Sequence, residues 1–360
     1  PDGLYTAPTD EALLYDLQMT REYGFNMIRK HIKVEPSRWF YHCDRLGILV
    51  WQDMPSFAAH AGREDWDYSH GYDAGNDYPA TAEAKANYYK EWKEIMNQVK
   101  KFQCVVVWVP FNEAWGQFKT PEIVAWTKAY DPTRLVNPAS GGNHYACGDI
   151  LDMHNYPAPA MILFDPTRVN VLGEFGGIGL ALDGHLWFAD RNWGYVQFKS
   201  SEEVTSEYVK YAGMLLDLVG KGYSAGVYTQ TSDCEGEVNG LITYDRKVLK
   251  YNPEVLKKAH AEVIRRATNP KRNELLYISH VHRGGGKKES PDNTLETFKW
   301  CWENGSALEC DCRKTKDGVG IMLHDDCLKR TARGIPAALA TNSVSKALTW
   351  AEIRDVDVGS

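Results

Sequence analysis

The chain has 360 residues, a formal net charge of −7, and ordinary globular proportions of hydrophobic (43%) and charged (25%) residues. This composition excludes an intrinsically disordered protein, and the negative charge argues against a nucleic-acid partner. No apolar run in the sequence reaches the roughly 18 residues of a membrane helix, so we expect no membrane span in this stretch. The eight cysteines form no C-x-x-C pair, which disfavours a structural zinc site and predicts buried free thiols.

Helices and apolar strands alternate along the first three quarters of the chain. The pattern predicts a helix at 10–23, capped by Thr9 or Asp10 and ended by Gly24, and a second helix opened by Pro36 and closed by Gly47. Seven continuous apolar strands separated by helices indicate a parallel sheet covered on both faces. The fold class is therefore α/β, a (β/α)8 TIM barrel whose first strand would precede Pro1. We place the strands at 25–31, 48–54, 105–113, 135–140, 152–157, 169–175 and 225–230, and further helices at 84–101 and 202–219.

Two glutamates stand where predicted strands end, which is where barrel enzymes place their chemistry. Glu113 follows VVVWVPFN, and Glu174 lies within VLGEFGG. Glycoside hydrolysis needs one carboxylic acid to protonate the leaving oxygen and one carboxylate to attack the anomeric carbon or activate water. The pair predicts a glycosidase. The alternative is that both glutamates form salt bridges at the barrel mouth.

The motifs GFNMIRKH, LGILVWQDMP, WVPFNEAWG and VLGEFGG, in that order, resemble glycoside hydrolase family 2, which includes β-galactosidases, β-glucuronidases and β-mannosidases. The resemblance covers residues from about 3 to about 265. It implies a retaining, β-galactosidase-like enzyme that hydrolyses O-glycosidic bonds by double displacement and needs no cofactor. Glu113 would be the acid/base, Glu174 the nucleophile, and Asn112 would bind the sugar 2-hydroxyl.

The same resemblance implies further residues that line the sugar pocket. Each also fits a structural role: a histidine bonded within the core, an arginine in an ion pair under the barrel mouth, or a tryptophan that only packs beside Glu113. Gln230 would face either the substrate or solvent. The implied substrate-binding residues, besides Asn112, are Arg29, His31, Trp115, His154 and Tyr156.

A polar stretch, RATNPKRN, follows the predicted barrel. We therefore assign residues 1–268 to the barrel, 269–274 to a linker, and 275–360 to the start of a second TIM-barrel-like domain, with strands at 307–313 and 319–326. Because only two or three strands precede Ser360, we expect the sequence to be part of a longer protein that extends at both ends.

The second segment carries HRG at 282–284, PDNT at 291–294, ECD at 309–311 and HD at 324–325. This order resembles the glycerophosphodiester phosphodiesterase family. It implies that His282 and His324 are general acid and base, and that Arg283 clamps the phosphate. Glu309 and Asp311 would bind a divalent cation, Mg²⁺ or Ca²⁺, that neutralises phosphate charge.

The leading functional hypothesis is thus a β-glycosidase with a carbohydrate substrate. The alternatives are a metal-dependent phosphodiesterase acting on glycerophosphodiester-like substrates, a bifunctional fusion of both, and a non-catalytic carbohydrate-binding barrel. The presence of both carboxylates disfavours the last. The sequence leaves the compartment open, and only the family's usual work on glycans favours a periplasmic or extracellular site.

Overall fold

The chain divides into two compact units, one within residues 1–272 and the other within 273–360. The predicted linker at 269–274 lies outside the residues that the structure describes. Among the helices of the described residues, none has both the length and the apolar character needed to cross a membrane. The structure is a computed structural model, and it describes residues 9–56, 77–268, 280–281, 294, 298–299, 307–308 and 310–356.

The helices of the first unit begin and end where local sequence signals place them. Helix α1 spans Asp10–Glu22, and Thr9 is its cap, because the Thr9 hydroxyl accepts a hydrogen bond from the Ala12 N–H at 3.2 Å. Helix α2 ends before Gly47, which has a φ of 65° that favours glycine. Both predicted helices are confirmed. The remaining bounds are α2 Ser37–Leu46, α3 Ala82–Val99, α4 Thr120–Tyr130, α5 Ser201–Gly220 and α6 Pro253–Ala267.

The strands of the first unit pair in parallel, as predicted. One sheet has the order β1-β2-β3-β5, a second has β11-β8-β7, and β4 pairs with β6. A further parallel pair joins β9 and β10. The strands are β1 Met27–Lys30, β2 Leu49–Asp53, β3 Val105–Val109, β4 Phe111–Asn112, β5 Leu135–Val136, β6 Ala139–Ser140, β7 Ile150–Asn155, β8 Val169–Gly176, β9 Ile178–Leu180, β10 Val196–Phe198 and β11 Tyr223–Thr229.

Two strands predicted as continuous, 105–113 and 135–140, are each divided in two. Pro110 separates β3 from β4, and Pro138 lies between β5 and β6. Proline has no N–H to donate to a neighbouring strand, so the hydrogen-bonded ladder breaks at each position. The chain direction continues past each break and still carries Asn112 and Glu113 to the strand ends.

Side chains from both main sheets share one apolar cluster. Trp51, Val107 and Val109 from one sheet pack with Ile150 and Val171 from the other. Such packing between strands that face one another is the arrangement found inside an α/β barrel. The predicted α/β fold class with parallel strands is confirmed, and it brings the strand ends to a common mouth.

The second unit differs in part from its prediction. The strand predicted at 307–313 is interrupted, and β14 begins only at Cys312 and pairs antiparallel with β15 through a hairpin. Cys312 is exposed, so the expectation of buried thiols is wrong there, whereas Cys43 and Cys104 are buried. The described elements are β12 His280–Val281, β13 Ala307–Leu308, β14 Cys312–Lys314, β15 Gly320–Met322, α7 Ala337–Thr341 and α8 Trp350–Ile353.

Candidate active site

The residues predicted for the first unit converge on one cavity of about 340 Å³. This volume lies within the roughly 300–1,000 Å³ of small-molecule sites. His154 lies behind the cavity wall and contacts both glutamates. The predicted residues that line the cavity are Arg29, His31, Asn112, Glu113, Trp115, Tyr156 and Glu174, and Gln230 lines it as well.

Strand register explains why these side chains meet. Asn112 on β4 is the register partner of Ser140 on β6, and His154 on β7 is the partner of Glu174 on β8. Parallel strands in register bring their carboxyl ends to one edge, where functional groups collect. A register shift just before His154 places its imidazole level with Glu174.

Arg29 is the buried hub of the site, with a side chain only 1% exposed. A guanidinium has five N–H donors. Here Nε and Nη2 donate to Asp53 at 3.2 and 2.7 Å, Nη2 donates to Asn112 Oδ1 at 2.6 Å, and Nη1 donates to Glu174 Oε1 at 2.8 Å and to the Gly173 carbonyl at 3.4 Å. Although burial alone lowers the pKa of Arg29, the charges of Asp53 and Glu174 raise it well above its ordinary value. Arg29 therefore stays charged, and five protein acceptors engage its five donors.

Glu174 is held as a carboxylate by its neighbours. Besides the Arg29 bond, its Oε2 accepts the Tyr156 hydroxyl at 2.7 Å, and His154 Nδ1 lies 3.4 Å away. His31 Nε2 lies 3.8 Å from Oε1. Burial alone raises the pKa of this carboxyl, but the charges of His154 and Arg29 outweigh it and lower the pKa of Glu174 to about 2. Glu174 is therefore ionised at any physiological pH.

Glu113 is placed by an unusual backbone conformation. Its φ is 49°, a region that side-chain-bearing residues seldom adopt and that often marks functional positions. Its N–H donates to the Ser140 carbonyl at 2.7 Å. Gly142 lies so close that a Cβ there would collide with the Glu113 carbonyl group. The backbone thus aims the Glu113 side chain, which is 26% exposed, into the cavity.

A chain of polar groups behind the cavity orients His154. Asp152 is buried and accepts hydrogen bonds from Ser140 Oγ at 2.6 Å, Asn137 Nδ2 at 2.7 Å and the Gly173 N–H at 2.6 Å. Because Ser140 gives its only proton to Asp152, it can only accept from His154 Nε2 at 2.8 Å. His154 Nδ1 then faces Glu113 Oε1 at 3.2 Å.

A proton must lie between His154 Nδ1 and Glu113, on one group or the other, because two lone pairs would repel. Burial alone lowers the pKa of His154, but the Glu174 charge and the Glu113 hydrogen bond outweigh it and raise the pKa. The raised pKa favours the proton on His154 Nδ1, which then donates to Glu113 Oε1.

Several cavity residues were absent from the sequence predictions. Tyr195 stacks on Tyr156 with ring centroids 3.8 Å apart, and Trp193 meets Tyr195 edge to face at 5.5 Å. Glu237 lines the same wall. These residues lie in loops after β9 and β11, where no periodic pattern marks a side chain as inward-facing. Asp53, at the end of the apolar run LVWQD, had the same strand-end signal as Glu113 and could have been found.

The spacing of the acidic groups bears on what the site can bind. Glu113, His154 and Glu174 each offer one ligand atom, and these atoms lie within 4.8 Å of one another. The set could hold a metal ion, but Arg29 already places a positive charge against Glu174 at 2.8 Å. A cation would have to compete with that charge, which disfavours a metal ion at this position.

The second unit shows part of its predicted constellation. His324 Nδ1 lies 2.6 Å from Asp325 Oδ1, and Asp325 also accepts Arg330 Nε at 2.6 Å. This contact orients the imidazole, as the predicted acid/base role of His324 requires. Asp311 is partly buried beside β14. The other predicted residues, His282, Arg283 and Glu309, lie outside the described residues, so their roles stay predictions.

Two family models match this chain. Residues 7–158 match the TIM barrel domain of the glycosyl hydrolases family 2, and residues 282–360 match the glycerophosphoryl diester phosphodiesterase family. The first match includes Asn112, Glu113, His154 and Tyr156, whereas Glu174 lies beyond it.

Individual relatives agree with the first match. The chain is 24% identical over 143 residues to a β-galactosidase of Photobacterium profundum, covering 40% of this chain and 13% of that protein. It is 26% identical over 143 residues to a β-galactosidase of Yersinia pestis, covering 39% of this chain and 12% of the relative. The chain thus spans about an eighth of the length of these curated relatives.

A solved structure shares the fold. The β-D-glucuronidase structure of Dictyoglomus thermophilum superposes with a TM-score of 0.53 at 14% identity, over 71% of this chain and 48% of that one. Both resemblances predicted from the sequence motifs are therefore confirmed. Residues 7–158 are thus similar to the TIM barrel domain of the glycosyl hydrolases family 2, and residues 282–360 are similar to the glycerophosphoryl diester phosphodiesterase family.

Proposed function

We propose that the first unit is a β-glycosidase that retains the anomeric configuration. The observation that carries this proposal is the pair of carboxylates, because oxygens of Glu113 and Glu174 lie within 4.8 Å of each other. Retaining glycosidases separate their carboxyl groups by about 5–5.5 Å, whereas inverting enzymes leave about 6.5–9.5 Å for a water molecule. The cavity has the short spacing.

Glu174 is the proposed nucleophile. Its carboxylate attacks the anomeric carbon, the bond to the leaving oxygen breaks, and a covalent glycosyl–enzyme intermediate forms. Arg29 and Tyr156 hold one carboxylate oxygen each, which fixes the direction of attack. Burial and the Glu174 charge raise the pKa of Tyr156 well above its ordinary value, so the phenol keeps the proton that it donates.

Glu113 is the proposed acid/base. It protonates the leaving oxygen in the first step, and in the second step it takes a proton from the water that cleaves the intermediate. His154 Nδ1, 3.2 Å from Glu113 Oε1, holds the Glu113 side chain in its orientation. Ser140 and Asp152 keep the imidazole in that position.

Asn112 is placed to donate a hydrogen bond to a sugar hydroxyl. Arg29 donates to its Oδ1, so the amide is oriented with Nδ2 as the remaining polar group. Asn112 lines the cavity beside Glu113, and its amide hydrogens can donate to a hydroxyl next to the anomeric carbon. The aromatic rings of Trp115 and Tyr195 supply flat walls against which a pyranose can pack.

The test is the configuration of the first-formed sugar. We expect the protein to hydrolyse at least one aryl β-glycoside from a panel of galactoside, glucoside, mannoside and uronides, and proton NMR to show the β-anomer before mutarotation. First release of the α-anomer would contradict the retaining mechanism. Hydrolysis of no member of the panel would contradict the glycosidase proposal itself. Chelation should leave the rate unchanged, because we propose no metal for this reaction.

We further propose that the phosphodiesterase-family segment contributes to a divalent-cation-dependent phosphodiesterase centre. The family match and the oriented His324 support this proposal. Of the two predicted ligands only Asp311 is described, and a carboxylate there suits Mg²⁺ or Ca²⁺. A bound cation would polarise the phosphorus–oxygen bond, while His324 would transfer a proton.

For this second activity we expect hydrolysis of glycerophosphodiesters that stops on chelation and returns with added Mg²⁺ or Ca²⁺. Asp311→Asn should lower it at least about tenfold, whereas Asp355→Asn, an exposed position, should not. Equal rates for the two variants would count against a metal ligand at Asp311.

A further inference from the structure

A third carboxylate, Glu237, is built into the wall of the catalytic cavity. Its backbone exchanges two hydrogen bonds of 3.0 Å with Cys234 across a tight turn. The backbone of Trp193 also holds this segment in place. The Trp193 backbone N–H donates to the Gly236 carbonyl at 2.8 Å, and the Trp193 carbonyl accepts from the Val238 N–H at 2.9 Å. Asn239 Nδ2 donates to Glu237 Oε1 at 2.8 Å. Glu237 is therefore fixed in place.

Among the described residues, the cavity lining is rich in negative charge and has little positive charge to offer a ligand. Glu113, Glu174 and Glu237 line it, and among its described lining residues the one permanently charged cation is Arg29. The five donors of Arg29 already meet Asp53, Asn112, Glu174 and Gly173. A carboxylate on a substrate would find no guanidinium N–H in this wall without displacing one of those bonds.

The charges around Glu237 also disfavour a second negative charge at this wall. Burial and the charge of Glu174 raise the pKa of Glu237, although the Asn239 hydrogen bond opposes the shift. The site already disfavours one additional negative charge at this wall. A uronate carboxylate near the wall would meet the same field and would also meet Glu237.

We propose that Glu237 is a specificity-determining residue that selects uncharged β-hexopyranosides and rejects uronides. This inference rests on the proposed glycosidase function and names its substrate class. A carboxylate is an acceptor only, so Glu237 accepts hydrogen bonds from sugar hydroxyls and repels a sugar carboxylate. Specificity then comes from an attractive contact and a repulsive one at the same residue.

The kinetic test compares matched aryl glycosides: β-galactoside with β-galacturonide, and β-glucoside with β-glucuronide. In the pair that contains the faster substrate, we expect kcat/KM for the neutral glycoside to exceed that for the uronide by about 100-fold. Glu237→Gln removes the charge but keeps the shape of the side chain. It should lower kcat/KM for the neutral substrate about tenfold, and it should reduce the ratio of kcat/KM between neutral glycoside and uronide at least about tenfold. Glu235→Gln, an exposed glutamate on the same turn, is the matched control and should change neither value.

A binding test separates this inference from the proposed function. In the Glu174→Gln variant, calorimetry should show tighter binding of methyl β-galactoside than of methyl β-galacturonide, and the added Glu237→Gln change should reduce the difference. A uronide that is cleaved or bound as well as its neutral partner overturns the inference, as does a preference that Glu237→Gln leaves unchanged. Cleavage of neither class overturns the glycosidase proposal, and the binding comparison then decides the role of Glu237.

Discussion

Replacing Glu174 by alanine is expected to reduce hydrolysis of the preferred aryl β-glycoside by about 10⁴-fold or more, because the covalent intermediate can no longer form. The fold should tolerate the change, since the side chain lies at the cavity surface and is 14% exposed. The space vacated by the Glu174 side chain still faces the positive charge of Arg29. A small anion can therefore enter it and take over the attack.

Azide provides the decisive form of this experiment. In Glu174→Ala it would attack the face opposite the leaving group, so the product should be an α-glycosyl azide, and the rate should rise with azide concentration. In Glu113→Ala, azide would instead attack the intermediate from the other face and give the β-glycosyl azide. NMR of the two products distinguishes the roles of the two carboxylates. Glu91→Ala, an exposed glutamate of α3, is the control and should behave as the unmodified protein.

Three results would contradict the assignment. A Glu174→Ala protein that keeps more than about a tenth of its activity would exclude Glu174 as the nucleophile. A β-azide from that variant would place the nucleophile elsewhere. If Glu113→Ala gave the α-azide, the two roles would be exchanged.

The main parts of the site could be predicted because they lie on strands. Arg29, Asn112, Glu113 and Glu174 follow apolar runs, and parallel strands place such residues at one edge. Their order along the chain also resembled a known family, which attached a role to each position. Neither kind of signal depends on knowing distances between side chains.

The supporting contacts could not be predicted in this way. Asp152 and Ser140 act through hydrogen bonds between neighbouring strands, and a register shift before His154 sets their alignment. Glu237 and Tyr195 come from loops, where one residue more or less would turn a side chain away from the cavity. The divided strands at Pro110 and Pro138 could have been anticipated from the missing N–H groups.

Most of the contacts that the structure shows and the sequence did not predict involve charged groups. Asp53, Asn112 and Glu174 surround Arg29, and His154 joins Glu174 to Glu113. The proposed nucleophile, Glu174, is thereby kept ionised, and His154 also orients Glu113. The surroundings of the two carboxylates still differ, because Arg29 and Tyr156 bond to Glu174, whereas His154 faces both glutamates.

Replacing Arg29 is expected to lower both the stability and the activity of the protein. Arg29→Met would leave Asp53, which is fully buried, without its counter-ion, and would leave Glu174 with only the two neighbouring imidazoles. Breaking a buried ion pair from one side typically costs about 3–5 kcal/mol, and we expect that loss in urea unfolding at pH 7 followed by tryptophan fluorescence. Arg29→Lys restores one charge but not the five-donor fork, so stability should recover in part while kcat/KM stays about 100-fold low.

The pH dependence follows from the sign of the Glu174 shift. A carboxyl whose pKa falls from an ordinary 4.5 to about 2 on folding stabilises the fold above its unfolded pKa and loses that contribution as the pH drops through the folded value. The stability difference between the unmodified protein and Arg29→Met should therefore be largest above about pH 5 and narrow as the pH falls. The acid limb of kcat/KM should move to higher pH in the variant, because Glu174 keeps the charge of His154 but loses that of Arg29. Arg265→Met, which removes an exposed pair with Glu262, should alter neither profile. An Arg29→Met protein as stable and as active as the original would show that Asp53 and Glu174 are neutralised by some other group.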